Sequence, residues 1–357
     1  MVALIMAGGR GERLWPASRG SRPKHLLNFG GRKVMLEETV ERLKSLISLE
    51  RIFIVTGQGD VLAIKKILPK IPFSNIIVEP YRRNTASAIG LSAIYIKNKF
   101  PGATMAIFPS DHVIRDKKRF LETIRLGAFW AGKEKALVTL GIKPDRPETG
   151  YGYIERGEKI GGKNRIAVHR VKRFVEKPVL KKAKKFVASG NYFWNGGMFI
   201  FKVEEILKAF KLFMPGLYRG LLKIEAHLNK KAEKEVVKRV YKDLKNISID
   251  YGVMEKARNR LVVTADFFWN DVGSWVSLEE LYARDKNDNI SLGETLAVDT
   301  SGSILVSDKG LIATIGLKDM AVISTPLATL VFPKDKAQEV KRVVEALRHK
   351  KSLKKYL

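Results

Sequence analysis

The chain has 357 residues, 45% of them hydrophobic, a formal net charge of +29 and no cysteine. That length supports one large domain with an appendage, or two domains. Disulfide frameworks and thiolate metal sites are excluded, and no apolar run approaches the ~20 residues of a membrane span.

Val2-Ala3-Leu4-Ile5-Met6 opens the chain as a buried strand. The run has neither a basic leader nor a cleavage site, so it does not read as a signal peptide, and a cytoplasmic location is expected. It leads into Ala7-Gly8-Gly9-Arg10-Gly11-Glu12-Arg13-Leu14. Glycines let backbone approach a ligand, and successive backbone N–H groups in such a turn form a concavity for anions. Arg10 and Arg13 add forked cationic donors. The loop is not a P-loop, and Leu14 stands where a dinucleotide fingerprint needs its third glycine. A plain tight turn is the alternative reading. The continuation, Trp15-Pro16-Ala17-Ser18-Arg19 and then Arg22-Pro23-Lys24, strengthens the phosphate reading. Five cations (Arg10, Arg13, Arg19, Arg22, Lys24) face a single acid, Glu12.

Strand-like runs at 2–6, 52–56, 76–78, 104–108 and 136–140 alternate with amphipathic stretches at about 35–47, 59–68, 84–99 and 117–132. Continuous apolar strands spaced by helices predict an α/β fold: a Rossmann-like, mixed but mostly parallel sheet covered by helices. Ligands of such sheets lie outside the carboxyl ends of the strands. Beyond residue 150, segments 151–154 and 168–175 read as antiparallel pieces, 197–201 as a strand and about 203–260 as helix-rich. From 291 to 332, strands at 295–298, 303–306, 311–315, 320–323 and 328–332 recur about every eight residues between turns, the pattern of a small, β-helix-like unit. Residues 334–350 place Ala337, Val340, Val343, Val344 and Leu347 on one helix face. The expected division is 1–288 and 289–357.

Several segments carry chemistry. Phe108-Pro109-Ser110-Asp111-His112 ends a strand in an aspartate suited to Mg²⁺ near a triphosphate, or to capping the next helix. Phe267-Phe268-Trp269-Asn270-Asp271-Val272-Gly273-Ser274-Trp275 is a second apolar approach to an aspartate, with Asp271 starting a helix over 273–284 as its alternative role. Two such aspartates suit a phosphate-bridging metal. In Phe174-Val175-Glu176-Lys177-Pro178, the proline keeps Lys177 out of helical geometry and predicts an extended segment. Lys177 suits a substrate phosphate as a point charge, or a surface pair with Glu176. Gly152, Glu176 and Asn195 could together read sugar hydroxyls; hairpin turns or bulges explain the glycine-rich segments equally well. In Glu79-Pro80-Tyr81-Arg82-Arg83-Asn84-Thr85, Asn84 or Thr85 could cap the following helix or contact a base edge or ribose.

Nucleic-acid binding is the obvious suspicion from the charge. Yet Lys181-Lys182, Lys184-Lys185, Lys230-Lys231 and Lys350-Lys351 read as solvated helix faces, and no RNA- or DNA-reading motif accompanies them. The charge also suits polyphosphate substrates. A non-catalytic nucleotide sensor or RNA-binding protein is the competing class; it has no need of both aspartates and Lys177. Two glutamines, no cysteine and many Lys, Arg and Glu are a thermophile-like composition.

Taken in order, these motifs resemble the sugar nucleotidyltransferases. The Gly8-Gly9-x-Gly11-x-Arg13-Leu14-x-Pro16 loop with Pro23-Lys24 carries the general signature. Trp15, Ser18, Arg82-Arg83-Asn84-Thr85-Ala86, Ser110-Asp111-His112, Glu176-Lys177-Pro178, Trp194-Asn195-x-Gly197-Met198-Phe199 and Trp269-x-Asp271-Val272-Gly273-Ser274-Trp275 resemble the mannose-1-phosphate guanylyltransferase (GDP-mannose pyrophosphorylase) branch, over residues 2 to about 285. The resemblance implies attack of mannose 1-phosphate on the α-phosphorus of GTP, giving GDP-mannose and pyrophosphate. It implies a nucleotide site of Ala7, Gly8, Gly9, Arg10, Gly11, Glu12, Arg13, Lys24, Pro80, Asn84, Thr85 and Ser110, with Arg13 on the departing pyrophosphate and Lys24 near the α-phosphate. Asp111 and Asp271 would hold Mg²⁺. Lys177 and Asp271 would serve the sugar phosphate, and Gly152, Glu176 and Asn195 the mannose. Another base or hexose is the nearest alternative. The five histidines (25, 112, 169, 227, 349) lack paired ligand spacing, so no isomerase activity is expected. The β-rich tail and final helix offer contacts for a homodimer.

Overall fold

The computed structural model describes residues 1–29 and 33–357. Two compact units emerge, and neither follows a single cut in the chain. One comprises Met1–Gly8, Val40–Ser110 and Ile114–Phe268; the other comprises Gly9–Thr39, Asp111–Val113 and Trp269–Leu357.

The strands in chain order are β1 (Val2–Ala7), β2 (Ile52–Gly57), β3 (Ile76–Glu79), β4 (Thr104–Pro109), the two-residue β5 (Val113–Ile114), β6 (Leu137–Ile142), β7 (Tyr153–Lys163), β8 (Ile166–Val175), β9 (Tyr192–Lys202), β10 (Arg260–Ala265) and the two-residue β11 (Trp269–Asn270). Nine of them build the sheet of the first unit, in the order β3-β2-β1-β4-β9-β6-β10-β8-β7. β2, β1 and β4 pair in parallel, as do β2 and β3, and β6 and β10; β8 and β9 run against the rest. Val2, Ala3, Leu4 and Ile5 are wholly buried. Such a strand is covered on both faces, which is why its apolar run is continuous rather than alternating. The helix Asn84–Lys99 is buried almost all round. Its small residues permit this: a Cβ on Gly90 would stand 2.9 Å from Leu221 Cδ1.

The antiparallel end is more than the hairpins expected from sequence. β7 pairs with both β8 and β9, so that Tyr153 lies opposite Val175 on one side and Trp194 on the other. This double pairing brings Gly152, Glu176 and Asn195 next to one another.

The second unit is built around β12 (Ile290–Leu292), β13 (Thr295–Val298), β14 (Ile304–Ser307), β15 (Ile312–Ile315), β16 (Met320–Ser324) and β17 (Thr329–Pro333). β12, β14 and β16 stack in parallel, β13 and β15 likewise, and β17 closes antiparallel on β16. Each coil therefore holds two strands. Ile290, Ile304 and Ala321 share one buried column. In the closing helix, Val340–His349, Val340, Val344 and Leu347 are buried as expected, but Val343 is exposed. It sits off the buried stripe.

Residues 9–39 belong with this unit for a physical reason. Leu14, Trp15 and Leu27 share one apolar cluster with Val272, Trp275, Ile304, Phe332 and Val344. Trp15 Nε1 donates to the Tyr356 carbonyl at 2.9 Å, and Trp275 Nε1 donates to the Trp15 carbonyl at 3.0 Å. Among the described residues, no helix is long and apolar enough to cross a membrane.

Candidate active site

In the second unit, the glycine-rich loop closes on a lysine. Gly11 has φ +63°, and a Cβ there would lie 2.6 Å from Lys24 Cβ and 2.8 Å from Ser18 Oγ. Both the backbone conformation and the space demand glycine. Ser18 Oγ donates to the Arg10 carbonyl at 2.5 Å, tying the loop to its own continuation. Lys24 is 8% exposed. Its Nζ lies 2.7 Å from Asp111 Oδ2 and donates to the Asp271 carbonyl at 2.5 Å. One buried ammonium thus holds both motif aspartates, one by its carboxylate and the other by its backbone.

Burial pushes the Asp111 carboxyl up, but Lys24, His112 and His25 more than offset this and hold it below its ordinary value. His112 is fixed in turn, accepting from Trp269 Nε1 at 3.0 Å. Arg10, Arg13, Lys24, Asp111 and Asp271 line one cleft of about 390 Å³, joined by Lys341 from the C-terminal helix. Glu12, the acid of the loop, is paired with Arg348.

Two local expectations are corrected here. Asp271 does not start a helix over 273–284: the helix is a short 3-10 turn, Trp275–Glu280, capped by a Ser274–Ser277 box. Val272 takes φ +47°, with its N–H donating to Asn270 Oδ1, so the chain turns sharply before the cap. Nor does Asp111 cap the following helix, because Asp116 does, accepting from the Arg119 N–H at 3.0 Å.

In the first unit, Ala7 and Ser110 are engaged through their backbones. The Ala7 carbonyl accepts from Thr56 Oγ1 at 2.8 Å, and the Ser110 N–H donates to the Met6 carbonyl at 3.1 Å. Gly8 has nothing within 4 Å of a Cβ position, so its backbone is open to a ligand.

A polar cluster lies at the β7–β8–β9 junction of the first unit. Asn195 is the hub. Its Oδ1 accepts from Thr139 Oγ1 at 3.0 Å and the Gly197 N–H at 3.2 Å, and its Nδ2 donates to Asp250 Oδ1 at 2.8 Å. Its own N–H donates to the Gly152 carbonyl at 2.8 Å. A Cβ on Gly152 would collide with Glu176 Oε2. The Glu176 side chain is only 6% exposed and pairs through Oε1 with Lys177 Nζ at 2.6 Å. Its Oε2 is buried with no hydrogen-bond partner, an unsatisfied acceptor of the kind that calls for a functional explanation.

Lys177 is not extended as expected. Its φ is +46°, in the left-handed region. Pro178 disfavours the right-handed helix for Lys177, which takes the left-handed region instead, and strain of this kind gathers at functional sites. Burial lowers the Lys177 ammonium, but the Glu176 contact outweighs it and raises the group above its ordinary value.

Asp250 was missed by the sequence reading. It begins a π-turn, Asp250–Met254, a geometry frequent at functional sites. Burial, followed by the charge of Glu176, pushes its carboxyl up to about 6. Ser248-Ile249-Asp250 lies inside a helix-rich stretch and carries no sequence signal of its own.

The 80–85 segment is tied into the fold by its side chains. Arg83 is the helix N-cap residue, and its guanidinium donates to the Tyr241 and Lys242 carbonyls at 2.8 and 2.6 Å. Thr85 Oγ1 accepts from the Ile249 N–H at 2.8 Å, so it does not cap its own helix. Asn84 takes φ +67° and accepts from the Thr85 N–H, and no side chain caps this helix. Pro80 is partly exposed beside Glu79. Burial raises the Glu79 carboxyl to about 7, against the opposing effect of a Tyr241 hydrogen bond.

The family model described as nucleotidyl transferase matches residues 2–288, and that of the MannoseP isomerase/GMP-like beta-helix domain matches residues 293–347. A mannose-1-phosphate guanylyltransferase of Escherichia coli K12 is 37% identical over 356 residues, covering 98% of this chain and 73% of the relative. One from Salmonella muenchen is 37% identical over 366 residues, covering 99% of this chain and 76% of the relative. A solved structure described as mannose-1-phosphate geranyltransferase from Thermus thermophilus has a TM-score of 0.87 and 36% identity, covering 97% of this chain and 99% of that one. A glycine-rich loop closed on a buried lysine, a mixed sheet and a parallel β-coil thus coincide with likeness along nearly the whole chain: the protein belongs to the nucleotidyltransferase family, on its mannose-1-phosphate guanylyltransferase branch.

Proposed function

We propose that the protein transfers GMP from GTP to mannose 1-phosphate, releasing pyrophosphate and forming GDP-mannose. The observation that carries this reading is the buried Lys24, held between Asp111 and the Asp271 backbone in a cleft lined by Arg10 and Arg13. A phosphate oxygen of the sugar phosphate attacks the α-phosphorus in line. The bond to the β-phosphate oxygen breaks, and pyrophosphate leaves with the electron pair. Such transfers depend on positioning and on charge neutralisation. Gly8 to Gly11 offer backbone N–H groups to the triphosphate, Lys24 offsets charge at the α-phosphate, and Arg13 stabilises the leaving group. Lys177 takes the phosphate of the sugar, while Glu176, Asn195 and the Gly152 backbone select its hydroxyls. Pro80, Asn84, Thr85 and Ser110 complete the nucleotide side of this proposal.

Asp111 and Asp271 fit Mg²⁺. They are hard oxygen donors on the same cleft as the phosphate-binding cations, and Asp111 is held ionised. No cluster of three His, Cys, Asp or Glu is found among the described residues. Magnesium takes one or two carboxylates and fills its shell with phosphate oxygens and water. When bound, the ion would neutralise charge on the phosphates. We also retain 1–288 as the catalytic part of the chain and 289–357 as its C-terminal domain, a cytoplasmic location and a homodimer as parts of this proposal.

The test is a product assay with the four nucleoside triphosphates, Mg²⁺ and several hexose 1-phosphates. GDP-mannose should dominate. UDP- or dTDP-glucose as the main product overturns the choice of base and sugar, and metal-independent binding without pyrophosphate release favours a nucleotide sensor.

A further inference from the structure

The phosphate cleft is not built from the glycine-rich loop and the two aspartate motifs alone. Lys341 lines it as well, and Lys341 belongs to the last helix, Val340–His349. This helix is anchored by its buried Val340, Val344 and Leu347. Lys341 and Arg348 are seven residues apart, about two helical turns, so they share one face. Arg348 uses that face to pair with Glu12 of the loop. The pair has two effects. It fixes the helix against the loop, and it offsets the charge of the loop's own carboxylate, which would repel a polyphosphate there. Lys341 is exposed and makes no ion pair among the described residues, whereas Arg10 reaches Glu12 at 3.8 Å and Lys24 is committed to Asp111.

We infer that Lys341 is a further binding residue for the terminal phosphates of the nucleotide and for the departing pyrophosphate, with Arg348 positioning it through Glu12. The C-terminal appendage is then a working part of the phosphate site. This rests on the nucleotidyl-transfer reading above. As the bond from the α-phosphorus to the bridging oxygen breaks, negative charge accumulates on pyrophosphate, and the exposed Lys341 ammonium lining the cleft stabilises it as a point charge.

The test measures binding of inorganic pyrophosphate and tripolyphosphate by calorimetry, together with pyrophosphorolysis of GDP-mannose, for the full-length protein and for Lys341→Met, Lys341→Arg and Arg348→Ala. Lys341→Met should weaken pyrophosphate about tenfold, equivalent to about 1.4 kcal/mol, and raise the KM for pyrophosphate while leaving that for mannose 1-phosphate within about twofold. Lys341→Arg should restore binding. Arg348→Ala should weaken pyrophosphate in the same direction. Unchanged pyrophosphate binding in Lys341→Met, or an equal loss for both substrates, overturns the assignment. Polyphosphate binding needs no turnover, so a chain that makes no GDP-mannose refutes the proposed reaction while this measurement still reads Lys341.

Discussion

Lys24 Nζ sits 2.7 Å from the Asp111 carboxylate and donates to the Asp271 backbone carbonyl at 2.5 Å. Three segments far apart in sequence therefore meet at one ammonium. The loop glycine at 11 makes this possible, since any side chain there would strike Lys24.

Removing this ammonium should cost stability as well as activity. Lys24→Met leaves the partly buried Asp111 carboxylate without its nearest cation. Because Asp111 is held below its ordinary value in the folded protein, it contributes stability above pH ~4 that is lost as pH falls through its folded value. The variant should be less stable by about 2–3 kcal/mol at pH 7, and the gap should narrow below about pH 4. Urea unfolding at both pH values reads this. A gap that stays constant with pH would exclude Asp111 as its origin, and Lys24→Met with Asp111→Asn should recover most of the loss.

Asp271 offers a cleaner separation of binding from chemistry, because it meets Lys24 through its carbonyl while the residue itself lines the cleft. Asp271→Asn keeps the carbonyl. Turnover should fall by a factor on the order of 10²–10³, while the Kd for GTP stays within about threefold of wild type. Near-normal turnover would remove Asp271 from the metal site.

Asp250 should report on the proposed sugar-binding cluster through pH. Its folded carboxyl is raised to about 6, by burial and then by Glu176. A raised carboxyl contributes stability that is present below its unfolded value of ~4 and is lost as pH rises through about 6. Asp250→Asn should therefore flatten the pH dependence of Tm between pH 4 and 7. It should also raise the KM for mannose 1-phosphate, since the carboxylate that Asn195 Nδ2 donates to at 2.8 Å is replaced by a neutral amide oxygen, a weaker acceptor. An unaltered Tm profile would mean that Asp250 does not titrate in this window.

Local chemistry was legible in the sequence. Continuous apolar runs identified β1, β2, β3, β4 and β6 of the main sheet, because a strand covered on both faces has no polar side to show; β10 was not among the expected strands. The helix Asn84–Lys99 fell where its pattern put it. Glycine and proline placed the loop, and the turn residues between 291 and 332 revealed the coil strands. Motif order also pointed to the family, since each motif is a local string.

What the tertiary structure decided is which strings meet. The double pairing of β7 draws Gly152, Glu176 and Asn195 together, and Asp250 joins them from a turn with no signature. Asn84 and Thr85, reasonable caps on paper, serve other contacts because Arg83 and Ile249 claim the local geometry. Residues 9–39 and the C-terminal coil form one compact unit although about 230 residues of chain separate them, because Trp15, Trp275 and Val344 bury one another's apolar surface. Burial and long-range hydrogen bonding are properties of the folded ensemble of contacts. A sequence carries them only implicitly, and Lys341 shows the consequence: one lysine on a polar helix face in a chain of net charge +29, set apart only by the cleft it lines.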